Sequence, residues 1–185
     1  GLLVESESNL YESSFNLQAE PLIDSFESGN LTELPWEFSN GDEDWIITMG
    51  ITSDGLYSSK SGNIDHSMNS ELSITMDVVE NGNISFYKKV SCEDVGSSTG
   101  NYYDYLAFYI DGEEQNKWAG EQSWSMVSFP VILGEHTFTW KFIKDNAVNS
   151  GDDAVWVDQI VFPPTFSNNI LLGDINGDTF LNIQD

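Results

Sequence analysis

The sequence predicts an all-β protein, an antiparallel β-sandwich, and three observations predict it. From about Leu22 onward, short runs rich in β-branched and aromatic residues recur, turn residues separate them, and no helix-period segment lies between them. The runs are "WIITMGI" (45–51), "ELSITMDVV" (71–79), "NISFYKKVS" (83–91), "DYLAFYIDG" (104–112), "WSMVSFPVI" (124–132), "HTFTWKFIK" (136–144) and "AVWVDQIVF" (154–162). Between them lie "ENGN" (80–83), "DGEE" (111–114) and "LGEH" (133–136). Asn-Gly and Asp-Gly suit tight hairpins, because both central residues of a type I′ turn take positive φ.

Alternation assigns the faces. Phe138, Trp140 and Phe142 share one side of their strand, and Thr137, Thr139 and Lys141 the other. Leu106, Phe108 and Ile110 likewise form one apolar face, and the large rings of these runs are expected in the core. In "AVWVDQIVF", alternation puts Trp156, Asp158 and Ile160 on one face and Val155, Val157 and Val161 on the other. Residues 1–21 read as a linker or irregular N-terminal arm, with a short amphipathic helix around Leu10–Leu17. Residues 22–164 form the sandwich, and 165–185 a linker and a calcium loop.

Composition agrees with a folded chain and narrows its partners. Aromatic residues make up 13% of the 185, six of them Trp, more than a disordered chain carries. With 31 acidic against 6 basic residues the formal charge is −25, a field that repels nucleic-acid phosphates and anionic membranes. Such a charge suits a salty extracellular habitat, bound cations, or simply a soluble surface. The single cysteine, Cys92, excludes an intrachain disulfide, and "CED" around it raises a thiol pKa. No apolar run approaches the roughly 20 residues of a membrane span.

Two places point to cations. In "GDINGDTFLNIQD" (173–185), Asp174, Asn176, Asp178, Phe180, Asn182 and Asp185 occupy loop positions 1, 3, 5, 7, 9 and 12. That is the spacing of an EF-hand-like calcium loop, with Phe180 offering its backbone carbonyl. Thr179 replaces the usual glycine at position 6 and Asp replaces Glu at position 12. The second place is Asp158, a carboxylate inside an apolar strand, with Glu27 beside Phe26 a similar case. An unpaired buried carboxylate costs several kcal/mol, so it needs a partner. A cation, backbone N–H groups, and Lys60 or Lys144 are the alternatives.

Several phrases carry a family resemblance: "DSFESG" (24–29), "LPWEFSNGDEDWIIT" (34–48), "LYSSKSGNI" (56–64), "ISFYKKVSCED" (84–94), "DYLAFYIDG" (104–112), residues 118–145, and "DDAVWVDQIVFP" (152–163). Together they resemble the MAM-like jelly-roll modules of secreted multidomain bacterial proteins, and are similar in layout to cleaved-adhesin and carbohydrate-binding jelly rolls. The cysteine pairs of animal MAM domains are missing. The resemblance implies a jelly roll over 22–164, and a calcium ion shared by an acidic residue of the first strand and an Asp of the last. Glu27 and Asp158 are the candidates it implies, with Asp24 a third. The closing loop resembles the first repeat of a dockerin, and is expected to open a further domain.

For function, "NYYDY" (101–105) and "NKWAGEQSW" (116–124) place Tyr102, Tyr103, Trp118 and Trp124 near polar, turn-like segments. Sugars stack on flat aromatic rings flanked by polar groups. The alternative for Trp118 and Trp124 is a place in the core or its rim. His66 and His136 are the only histidines, and no H-E-x-x-H or C-x-x-C occurs. The expectation is a non-catalytic, calcium-stabilised, monomeric module, secreted or at the cell surface, whose partner is a polysaccharide or glycan. A structural or adhesive spacer, or a protein-binding accessory domain of a hydrolase or protease, is the alternative. Nucleic acid and membrane are excluded as partners.

Overall fold

The computed structural model describes residues 20–38 and 40–165. The expected helix around residues 10–17 and the calcium-loop residues Asp174, Asn176, Asp178, Phe180, Asn182 and Asp185 lie outside the described residues. The ten strands are β1 (Glu20–Asp24), β2 (Ile46–Met49), β3 (Tyr57–Lys60), β4 (Asn69–Val78), β5 (Gly82–Ser91), β6 (Tyr105–Ile110), β7 (Glu113–Trp118), β8 (Glu121–Val131), β9 (Gly134–Ile143) and β10 (Ala154–Thr165). Every pairing between them is antiparallel, and no helix occurs among the described residues. The all-β antiparallel sandwich is therefore as expected.

One leaf runs β4-β9-β6-β7 and the other β2-β3-β10-β5-β8. β1 lies on the same side of β10 as β3 but further along it, pairing Glu20 with Thr165, Pro21 with Pro164, Ile23 with Val161 and Asp24 with Ile160. Among the described residues, strands of the two leaves pair only where Thr165 meets Val78.

Alternation holds where a strand is long and half-covered. On β9, Phe138, Trp140 and Phe142 are fully buried. Trp140 meets Phe108 of its own leaf at 5.0 Å and Phe86 of the opposing leaf at 5.3 Å between ring centroids. Trp36, from the segment between β1 and β2, closes the cluster at 5.8 Å from Trp140 in an edge-on arrangement, a geometry aromatic pairs favour.

Two local expectations are corrected. "ENGN" does not close a hairpin. β4 pairs with β9 and β5 with β10 and β8, so the segment crosses between leaves, and Gly82 already belongs to β5. "LGEH" makes the matching crossing from β8 to β9, and the two passages are tied by Leu133 N–H donating to Asn81 Oδ1 at 2.7 Å. "DGEE" does form the tight turn, between β6 and β7. Asp111 at φ 53° and Gly112 at φ 79° supply its two positive dihedrals.

The second correction concerns β10. Its pairing to β5 shifts register between Asp158 and Val161, and Gln159 sits at φ 46°. This bulge reverses the alternation. Val155 and Val157 face the core before it and Ile160 and Phe162 after it, so Ile160 is not on the face of Trp156. Trp156 lies on the outer face under Lys89 Nζ at 4.4 Å and Lys60 Nζ at 5.9 Å from its ring.

Candidate functional site

The connection from β5 to β6 carries residues 92–104 from one leaf to the other. Its tip is a tight turn in which Thr99 and Gly100 N–H both donate to Gly96 carbonyl oxygen, and Gly96 N–H donates to Asn101 oxygen at 2.9 Å. A side chain on Gly96 would meet the Tyr103 hydroxyl at 2.9 Å, so the ring of Tyr103 lies directly against the turn. The following residues enter β6, whose neighbour β7 is the edge of its leaf.

An open cleft of about 440 Å³ forms there, lined by Gly100, Asn101, Tyr102, Tyr103, Tyr105 and Lys117. Tyr102 is 38% exposed and meets Tyr105 edge-on at 5.8 Å between centroids. Lys117 Nζ stands 5.1 Å from the Tyr102 ring and 5.5 Å from the Tyr105 ring. The same ammonium pairs with Glu114 at 3.1 Å, a hydrogen bond that holds its pKa above the ordinary lysine value. Flat rings, phenolic hydroxyls and one fixed cation give the cleft an apolar floor with polar edges.

Of the four residues expected at a ligand, Tyr102 and Tyr103 come together here. Trp118 and Trp124 do not line this cleft. Trp118 is half-buried on β7, 6.3 Å from Phe86 and 6.4 Å from Phe129 between centroids. Lys88 Nζ lies 5.4 Å from its ring, and burial holds that lysine below its ordinary pKa. Trp124 is half-buried on β8. Two lining residues, Tyr105 and Lys117, were within the quoted runs. The β6–β7 ladder pairs Lys117 with Ala107, two residues from Tyr105, and so brings the two together in a way that spacing along the chain does not reveal.

The acidic residues expected at calcium converge on a different segment. Asp158, fully buried at the β10 bulge, accepts at Oδ2 from Ser53 N–H (2.8 Å), Ser53 Oγ (3.0 Å) and Asp54 N–H (3.4 Å). Its Oδ1 accepts from Gln159 N–H at 2.8 Å. Burial pushes its carboxyl above the usual carboxylate range, and these four bonds pull it back. Glu27 reaches the other side of the same turn, accepting from Leu56 N–H and Tyr57 N–H at 3.0 Å each. Gly55, at φ 64°, admits it: a Cβ there would sit 2.3 Å from Glu27 Oε1. Asp24 accepts from Phe26 N–H at 2.8 Å and from Trp36 Nε1–H at 2.9 Å. The 52–57 turn thus presents N–H donors to both Glu27 and Asp158, the hydrogen-bonded alternative for these carboxylates. Lys60 and Lys144 are engaged elsewhere, with Trp156 and with Asp153 and Asn149.

Among the described residues, the group of carboxylates gathered closely enough for one metal ion is Glu93, Asp104 and Asp145, with one ligand atom from each within 4.8 Å of the others. None was singled out from the sequence.

His136 is committed to structure. Its Nδ1 lies 2.7 Å from Asp111 Oδ2 and its Nε2 2.9 Å from Ile132 carbonyl oxygen. Cys92 is buried, with its thiol pushed up to about 12, first by burial and further by the charges of Asp104, Asp153 and Glu121.

No family model matches the sequence, and no curated protein does. Solved structures share the fold at low identity. A cleaved adhesin domain of Lys-gingipain from Porphyromonas gingivalis aligns with a TM-score of 0.57 at 10% identity, over 80% of this chain and 99% of that one. The CBM22-1 xylan-binding domain from Paenibacillus barcinonensis aligns at 0.51 and 17%, over 80% and 97%. The secreted serine protease VesC from Vibrio cholerae aligns at 0.54 and 12%, over 78% of this chain but 27% of that protein. At these identities the likeness establishes the jelly-roll sandwich and nothing finer.

Proposed function

We propose that this chain is a non-catalytic, glycan-binding module of a secreted multidomain bacterial protein, and that it takes a polysaccharide segment in the tyrosine cleft. The observation that carries the reading is the meeting of Tyr102, Tyr103, Tyr105 and Lys117 around one open cleft of about 440 Å³. Sugar rings present C–H faces to aromatic rings and hydroxyls to polar neighbours, and this cleft offers both. The shared fold with a xylan-binding domain makes xylan the first polysaccharide to try. A net charge of −25 favours neutral over acidic glycans. The proposed module takes in every strand from Glu20 to Thr165, and the sequence that reads as a calcium loop, 174–185, follows it.

Calcium belongs to the same proposal. Glu27 and Asp158 meet at one turn, and an ion there would add to the amide hydrogen bonds that already hold it.

Affinity electrophoresis through a panel of polysaccharides, with calcium and with EDTA, tests the reading. Retardation by a neutral polysaccharide is expected. Tyr102→Ala should weaken it by roughly tenfold, equivalent to about 1.4 kcal/mol, with folding unchanged because the ring is partly exposed. A folded protein retarded by none of the panel would reject glycan binding. A protein-binding or spacer role would then lead, and one observation already favours it: Ile46, Met49 and Leu56 stand exposed on β2 and at the entry to β3.

A further inference from the structure

Glu93 follows β5, Asp104 immediately precedes β6, and Asp145 follows β9, so the three carboxylates come from strand ends of both leaves. One ligand atom from each lies within 4.8 Å of the other two. Asp104 is fully buried. Its Oδ1 accepts from Asp145 N–H at 2.9 Å, while its Oδ2 is buried with no hydrogen-bond partner. A buried anionic oxygen without a donor is rare in native proteins and calls for a ligand.

No lysine or histidine supplies that partner among the described residues. The nearest candidate by sequence, Lys144, spends its ammonium on Asp153 and on Asn149 Oδ1. Nor does any of the three carboxylates enter one of the ion pairs found among the described residues.

We propose that Glu93, Asp104 and Asp145 hold a divalent cation that clamps the 92–104 connection across the two leaves. Carboxylate oxygens are the ligands that calcium and magnesium both prefer, and backbone carbonyls and waters can complete a calcium shell of six to eight oxygens. Asp104 lies between Tyr103 and Tyr105, so the ion fixes the segment that displays the cleft tyrosines. The ion site itself stands on its own geometry; only its effect on sugar binding rests on the glycan-binding reading.

The test is an ¹⁵N-HSQC titration of the full, calcium-free chain with Mn²⁺, which broadens amides near its binding place. Expected is early loss of the Glu93, Asp94, Asp104, Tyr105, Asp145 and Asn146 signals, with recovery on excess calcium. Glu93→Gln, at the rim of the group, and Asp104→Asn, which keeps an oxygen for Asp145 N–H, should each raise the Mn²⁺ concentration for that loss by at least roughly tenfold. Broadening elsewhere in the chain reports other acidic sites and is scored separately. Absence of early loss at these six amides overturns the proposal, as does unchanged loss in a folded Glu93→Gln variant. If the six signals respond while no polysaccharide binds, the ion site stands and the glycan reading falls.

Discussion

Asp158→Ala removes the carboxylate at the β10 bulge and is the sharpest single perturbation of this fold. Two backbone donors at 2.8 Å, Ser53 N–H and Gln159 N–H, lose their acceptor, as do the Ser53 hydroxyl at 3.0 Å and the weaker Asp54 N–H at 3.4 Å. Hydrogen bonds to a charged group contribute about 1.5–3 kcal/mol each, so the three shorter bonds sum to roughly 5–9 kcal/mol. Against that stands the cost of burying the carboxylate, visible in its raised pKa. The net loss expected is about 3–5 kcal/mol, the range seen when one partner of a buried charged arrangement is removed. For a domain of this size that lowers Tm by roughly 8–15 °C. Differential scanning calorimetry reads it directly. Asp152→Ala is the control. That carboxylate is mostly exposed and 3.9 Å from Lys89, so its loss should stay within about 0.5 kcal/mol. Equal shifts for the two variants would refute the reasoning. Melting both in calcium and in EDTA separates the two roles of Asp158. A gap between variants that is the same in both media means hydrogen bonding alone, and one that widens in calcium places an ion at the turn.

Two more outcomes are expected. Asp153→Ala should cost about 3–5 kcal/mol in urea denaturation, because it strands the buried Lys144 ammonium; adding Lys144→Met should recover much of the loss, and a double variant no more stable than the single one would count against this pairing. Between pH 9.0 and about 12 the native state keeps the Cys92 proton that the unfolded chain releases, so stability falls as pH rises through that window; Cys92→Ala should flatten this region of the pH–stability curve, and an unaltered slope would show the thiol to be ordinary.

What the sequence disclosed was decided by cover. β9 reads plainly because one face is fully buried and the other half-exposed, so Phe138, Trp140 and Phe142 alternate with Thr137, Thr139 and Lys141. β3 ("YSSK") and β7 ("EEQNKW") went unseen, since short polar strands carry no apolar period, and β1 ("EPLID") was expected only through the resemblance, as a first strand near Glu27, a residue that lies beyond its end at Asp24. Asn81-Gly82 has hairpin chemistry, yet a turn dipeptide says nothing about which strands pair, and here the neighbours in sequence belong to opposite leaves. The β10 bulge is likewise silent: "VDQIV" reads as unbroken alternation until Gln159 takes a positive φ. At the site, Tyr102 and Tyr103 were legible as aromatics in a polar turn. Lys117 reaches them only through the β6–β7 pairing. Glu93, Asp104 and Asp145 sit far apart along the chain among 31 acidic residues, and nothing local distinguishes the one whose carboxylate is fully buried.

The β1–β10 ladder has a mechanical consequence. Glu20 and Thr165 are paired, so a pull applied at those two residues acts across the ladder rather than along it. The strands would separate pair by pair, beginning at Glu20–Thr165 and passing next to Pro21–Pro164, where neither residue has an N–H to hold the other. Peeling of this kind yields at low force, while shear of a whole ladder resists until all its bonds break together. The described sandwich is therefore weak against tension at its own edges, and its first response to load is the release of β1 from β10.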